Sequence, residues 1–218
     1  MVSKIFFPAA IDLSKQPVLV IGCGKVGLRK LKKLIELGIP HIDAMALNFE
    51  KETREFLRKK GINYSKEKFR PSTVYSYNIF FDTTGDPEVM DILEMDAIPI
   101  GKLVNCASEP ERGNFYLPSL LKSDKTMVTF STDGKAPFIA KYLKDEISSI
   151  TEKADALIDK AEEFRRIVIK RHKDDITKQA LFDTFIDLNL NNGTKIIDKQ
   201  VEKEYYSIIK ETEEKINA

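Results

Sequence analysis

The sequence predicts an α/β chain: a mostly parallel sheet covered by helices on both faces, then a small connecting region, then an all-helical end. Three observations carry this. A short apolar run, Val18 to Ile21, stops at a glycine turn and gives way at once to a helical apolar period. Short apolar runs then alternate with helical stretches as far as Ala107, the order that builds parallel strands joined by crossover helices. From Ser148 onward strand signals vanish, and apolar residues recur only at helical spacing.

The composition sets the class. A chain of 218 residues can bury a real core and has room for one or two domains. Hydrophobic residues make up 42% and charged residues 32%, the balance of a soluble globular protein. Lys plus Arg number 35 against 34 Asp plus Glu, so a net charge of +1 gives no reason to expect a nucleic-acid or acidic-membrane partner. The segment from Met1 to Gln16 lacks the apolar stretch of a signal peptide, and no run approaches the roughly 18 apolar residues of a membrane span. Cys23 and Cys106 form no C-x-x-C pair and no disulfide framework, so a cytoplasmic setting is expected.

The first βα unit, PVLVIGCGKVGLRKLKKLIEL from Pro17 to Leu37, organises the chain. Gly22, Gly24 and Gly27 complete G-x-G-x-x-G between strand and helix, the context that makes this motif informative. Each glycine has its own reason. Gly22 permits the sharp exit from the strand, Gly24 leaves no side chain between backbone and pyrophosphate, and Gly27 lets the helix lie close to the sheet. The turn, with Cys23, Lys25 and Val26, is therefore read as the dinucleotide-binding element of a Rossmann-type sheet, the phosphates facing the helix N-terminus. Cys23 is read as packing.

Ahead of this unit, Phe6, Phe7, Pro8, Ile11 and Leu13 form a segment that could pack across the sheet or frame a substrate, and the packing reading is the favoured one. After Gly38, His41 to Ala46 is the second strand, and Glu50 to Lys60 a charged helix turning Phe56 and Leu57 inward. Ala46, at the second strand's end, falls beside the cofactor. An acid usually stands there to hold the adenosine ribose, but Met45-Ala46-Leu47-Asn48 supplies none and Asp43 lies too early. No arginine argues for a 2′-phosphate either, so NAD against NADP stays open.

Ile62 to Phe69 is an edge-strand candidate, and Tyr77 to Phe81 a buried strand entering Asp82-Thr83-Thr84-Gly85-Asp86-Pro87. This loop lies at a carboxyl end, where open α/β sheets bind ligands, and places Thr83 and Thr84 against the cofactor. Glu88 to Met95 is a short helix and Leu103 to Ala107 another strand. The loop Ser108 to Asn114 follows, then a strand from Met127 to Phe130 and a polar loop, Ser131 to Pro137, feeding a helix from Phe138. Pro137 suits the first turn of that helix. The tail breaks at Asn191-Asn192-Gly193 before a last helix from Asp198 to Ile216. So apolar a tail must pack on the first part or on a partner subunit.

No spacing announces a metal site: His41 and His172 each lack a second ligand nearby. Asp82, Asp86, Glu109 and Asp133, near the carboxyl ends of strands, are the candidate bases, and each is equally an ordinary turn residue.

Four stretches then carry a resemblance: VIGCGKVGLRK (Val20 to Lys30), TTGDPEV (Thr83 to Val89), VNCASEPERGNFYLPS (Val104 to Ser119) and TFSTDGKAPFIAKYLKDEI (Thr129 to Ile147). With them the chain resembles the precorrin-2 dehydrogenase / sirohydrochlorin ferrochelatase family, the NAD-dependent part of siroheme synthase, over about residues 1 to 150. The resemblance implies an NAD-binding domain (1–113), an intertwined dimerisation region (114–147) and a helical C-terminal domain (148–218), assembled as a homodimer. It implies oxidation of the tetrapyrrole precorrin-2 to sirohydrochlorin and, in some members, insertion of Fe2+ to give siroheme. The many carboxylates of such a substrate would meet Arg112, Lys135, Lys141 and Lys144, with Asn105 of the matched N-x-x segment beside them.

The departures bear on chemistry. Where the family has an aspartate after that segment, this chain has Ser108, with Glu109 adjacent; these two are the candidate catalytic positions. The family's G-G-x-S-P loop is Asp133-Gly134-Lys135-Ala136-Pro137 here, and lysines stand where arginines are expected, keeping the charge but losing the bidentate fork. Both changes weigh against iron insertion more than against hydride transfer, whose hard chemistry belongs to the nicotinamide. Two other readings remain: a non-catalytic protein holding a dinucleotide and a tetrapyrrole or metal for a partner, and an oxidoreductase for another small substrate.

Overall fold

The computed structural model describes residues 6–132, 135–191 and 206–210. The chain divides into two compact units, Met1–Tyr116 and Leu117–Ala218.

The first unit holds a five-stranded parallel sheet made of β1 (Val18–Ile21), β2 (Ile42–Met45), β3 (Asn63–Ser65), β4 (Ile79–Asp82) and β5 (Leu103–Cys106). Their spatial order is β3-β2-β1-β4-β5. The Rossmann-type sheet read from the sequence is therefore present. The chain crosses from one side of β1 to the other between β3 and β4, so the carboxyl ends of β1 and β4 flank the switch point where such sheets bind ligands. Because β1 is sandwiched between β2 and β4 and covered on both faces, all four of its residues are buried.

Helix α1 (Lys25–Glu36) buries Gly27, Leu28, Leu31 and Leu34; of the apolar period read from the sequence, Leu31 and Leu34 are buried, Ile35 and Leu37 are half-buried, and Val26 is exposed. Helix α2 (Lys51–Lys60) ends at Gly61, whose φ of 66° is the left-handed stop a glycine provides. Leu57 is buried there and Phe56 half-buried. On the sheet face carrying Leu19, Ile21, Phe80 and Val104, the core is completed by Val89 and Met90 of α3 (Pro87–Ile92) and by Leu93 and Ala97 of the wider helical turn that follows.

The second unit begins with a hairpin of β6 (Ser119–Lys122) and β7 (Met127–Phe130), paired antiparallel. Strand β7 follows the sequence expectation; β6 was not expected, because Ser-Leu-Leu-Lys shows no period-two alternation. Helix α4 (Pro137–Arg171) runs for 35 residues and passes unbroken through positions 147 and 148. Helix α5 (Asp175–Ile186) starts on Asp174, whose carboxylate accepts the Thr177 N–H at 2.7 Å. Phe164, Val168, Leu181, Phe185 and Ile208 form its core, with Phe164 and Phe185 stacked at 4.8 Å. The expected last helix, Asp198 to Ile216, lies mostly outside the described residues; 206–210 are helical. No described helix is long and apolar enough to cross a membrane.

Candidate functional site

The carboxyl ends of β1, β2, β3 and β4 surround a cleft of about 440 Å³. Gly22, Cys23, Gly24, Ala46, Thr83 and Thr84 line it, six of the nine positions that the sequence assigned to the cofactor. Lys25, Val26 and Gly27 follow as the first turn of α1.

The three glycines behave differently. Gly22 has φ +81°, and a Cβ there would stand 2.6 Å from Thr84 Cγ2 and 2.7 Å from the Thr84 backbone. A Cβ on Gly27 would meet the Gly22 carbonyl oxygen at 2.6 Å, so the helix approaches the turn as closely as backbone permits. Around Gly24, by contrast, a Cβ would find nothing within 4 Å. That is open space at the mouth of a helix, and no side chain caps α1 there. First-turn N–H groups left without a side-chain acceptor suit a phosphate, and the residues present fit a dinucleotide pyrophosphate.

Neighbouring strands brace this mouth. Thr83 Oγ1 donates to the Ile21 carbonyl at 2.8 Å and also reaches the Gly22 carbonyl. Asp82, 1% exposed, accepts at Oδ1 from the Thr84 N–H (2.9 Å) and hydroxyl (2.7 Å), and its Oδ2 lies 3.7 Å from Cys106 Sγ. Asp86 accepts the Glu88 N–H at 3.0 Å as the N-cap of α3. Both candidate bases are thus tied to loop and helix geometry. Asp133 lies outside the described residues.

Cys23 is buried, its Sγ 3.7 Å from the Val20 carbonyl, and burial pushes its thiol up to about 12. It is a packed neutral thiol. Asp43 accepts from the Tyr77 hydroxyl at 2.8 Å, away from the end of β2.

At the end of β5, Ser108 is exposed, with Oγ 3.4 Å from Cys106 Sγ. The Glu109 N–H donates to the same sulfur at 3.3 Å, and the Glu109 carboxylate lies 3.8 Å from Arg112. Arg112 also contacts Asp91 and Glu94, each at 2.6 Å. Its guanidinium pins the loop after β5 to the helical segment after β4, and these acids favour its charged form. Asn105 is 5% exposed; its Nδ2 donates to the Phe115 carbonyl at 3.1 Å, while its Oδ1 has no partner among the described residues. Lys135 and Lys141, both exposed, belong to the second unit, at and just inside the start of α4. Among the described residues no three His, Cys, Asp or Glu side chains gather as a metal requires.

The cleft also holds Leu47, Asn48, Glu67, Lys68 and Phe69, which the sequence did not announce. Lys68 Nζ donates to Glu88 at 2.7 Å, bridging the ends of β3 and β4, and this partner favours its ammonium form. The one available signal was register: β3 runs parallel to β2, so residues just past β3 arrive beside those just past β2.

The family model described as "Putative NAD(P)-binding" matches residues 9–119. The precorrin-2 dehydrogenase of Bacillus subtilis is 30% identical over 152 residues, which cover 70% of this chain and 88% of that protein. Siroheme synthase 2 of Aeromonas hydrophila is 28% identical over 145 residues, 66% of this chain but 30% of that protein. For the siroheme synthase of Tolumonas auensis the values are 28% over 178 residues, 81% and 37%. The chain thus spans about a third of the length of these siroheme synthases. A solved structure of SirC, a precorrin-2 dehydrogenase, matches 96% of this chain and 100% of its own with a TM-score of 0.65 at 21% identity, a likeness of fold.

Proposed function

The chain belongs to the precorrin-2 dehydrogenase/siroheme synthase family, and on that footing we propose that it oxidises precorrin-2 to sirohydrochlorin with NAD as hydride acceptor. The observation that carries the reading is the open, uncapped mouth of α1 at Gly24, set among the ends of β1, β2 and β4. NAD supplies the acceptor carbon for the hydride when bound. The chain's own part is to hold and orient: first-turn N–H groups of α1 take the pyrophosphate, and Thr83 keeps the turn in register with β4.

A substrate bearing many carboxylates calls for cations, and Lys135 and Lys141 are the proposed contacts. Arg112 already serves Asp91, Glu94 and Glu109, so its role is to fix the loop carrying Ser108 and Glu109. Oxidation of the macrocycle releases one proton alongside the hydride. With Asp82 and Asp86 committed elsewhere, Glu109 is the carboxylate at this sheet edge proposed to receive it. Insertion of Fe2+ as a second substrate has less support, since Ser108 offers a hydroxyl where a carboxylate was expected.

A homodimer is the proposed assembly. The hairpin of β6 and β7 packs against α4, and the same unit leaves Met127, Phe138, Ile139, Tyr142 and Leu143 exposed, an apolar surface for a second copy to cover.

The test is an anaerobic assay with purified protein, precorrin-2 and NAD, following NADH and macrocycle absorbance before and after Fe2+. Sirohydrochlorin formation stoichiometric with NADH supports the dehydrogenase. Tetrapyrrole and NAD binding without turnover would replace it with the carrier reading, which the commitment of Asp82 and Asp86 favours. Protein-dependent acceleration of siroheme formation would add the chelatase.

A further inference from the structure

We propose that Glu67 receives the adenosine ribose hydroxyls and makes the cleft select NAD over NADP. This rests on the reading of the cleft as a dinucleotide site. The residues past β2 are Ala46, Leu47 and Asn48, none of them an acid. The residues past β3 differ. Met45 pairs with Ser65 in parallel register, and the Ala46 N–H donates to the Ser65 carbonyl at 3.2 Å, so the two strands leave the sheet side by side. Two residues beyond that pair stand Leu47 and Glu67, and both line the cleft. The carboxylate missing from β2 is thus delivered from one strand over.

Glu67 is exposed and makes no hydrogen bond or ion pair with a described residue. A carboxylate accepts at both oxygens and can take the two hydroxyls of a vicinal diol together. The same place resists a 2′-phosphate. Lys68 is the one cation among the described residues lining the cleft, and its Nζ is held 2.7 Å from Glu88. Glu67, Asp86 and Glu88 set three negative charges against that single ammonium. A 2′-phosphate brings roughly two more negative charges. It would have to draw Lys68 from Glu88 and lie beside Glu67.

The experiment measures dissociation constants of NAD and NADP by calorimetry for the natural chain and for Glu67→Gln, Glu67→Lys and Glu88→Gln, with a thermal melt of each. The natural chain should favour NAD, and Glu67→Gln should weaken NAD about tenfold, the loss of one charge-assisted contact, while tightening NADP as one negative charge beside the 2′-phosphate is removed. Glu67→Lys should invert the preference, and Glu88→Gln, by releasing Lys68, should tighten NADP. An unchanged NAD-to-NADP ratio in folded Glu67→Gln and Glu67→Lys would overturn the assignment while leaving the dinucleotide site standing. Failure of the natural chain to bind either nucleotide would overturn both.

Discussion

Thr83 joins the ends of two strands through one residue: its N–H donates to the Ile21 carbonyl at 2.9 Å, and its hydroxyl returns to the same oxygen at 2.8 Å. The hydroxyl also reaches the Gly22 carbonyl, so it holds the entrance of the glycine turn. Thr83→Val keeps the shape and deletes these side-chain bonds. The expected loss is about 1–2 kcal/mol in chemical denaturation, with weaker NAD binding as the turn relaxes.

The glycine turn allows stability and binding to be separated. At Gly27 a Cβ collides with backbone at 2.6 Å, so Gly27→Ala should cost about 1–3 kcal/mol of stability. At Gly24 there is room, and φ is −76°, so Gly24→Ala should melt like the natural chain yet bind NAD about tenfold more weakly. Gly24→Asp adds a negative charge beside the pyrophosphate and should bind weaker still. Calorimetry and thermal melts on the three variants decide the matter; equal NAD affinity in Gly24→Asp would refute the phosphate assignment.

Removing the Asp82 carboxylate strands its partners. Asp82→Ala takes the acceptor from the Thr84 N–H and hydroxyl at the buried end of β4, and because Thr84 itself is exposed water replaces part of the loss, so the expected cost is about 0.5–1.5 kcal/mol, read from urea midpoints. If Asp82 were instead the catalytic base, the variant would lose turnover while its midpoint stayed put.

Cys23 predicts an alkaline limb. Its thiol is neutral in the fold up to about 12, whereas in the unfolded chain a cysteine ionises near roughly 8.5. The unfolded state alone sheds that proton between these values, so stability is full below about 8.5 and declines as pH rises toward 12. The melting temperature of Cys23→Ala should fall less steeply over that window. At neutral pH, Cys23 should react with a thiol reagent only after denaturant is added.

The sequence made β1, the glycine turn and α1 legible because strand, motif and helical period are all local there. The positive φ at Gly22 and the close backbone approach at Gly27 fit the roles read for those two glycines, while Gly24 faces open space. What stayed hidden depends on contacts across the sheet. Asp82 reads as a loop acid until Thr84 and Cys106 are seen around it. Glu67 and Lys68 enter the cleft only through the pairing of β3 with β2, which no local pattern states. β6 carries no local signature because Ser119, Leu120 and Leu121 are half-buried without alternation.

Asn114 has a consequence for how this molecule meets its neighbours. Its Oδ1 accepts the Val104 N–H at 2.7 Å, its Nδ2 donates to the Lys102 carbonyl at 2.8 Å, and its own N–H donates to the Val104 carbonyl at 2.9 Å. Asn114 therefore answers three outward-facing groups along β5, two through its side-chain amide and one through its own N–H, as a sixth strand would. An open strand is a template on which another chain can add itself, and aggregation begins at such borders. Here the border is already spoken for, so the sheet can end at β5 without inviting a stranger to extend it.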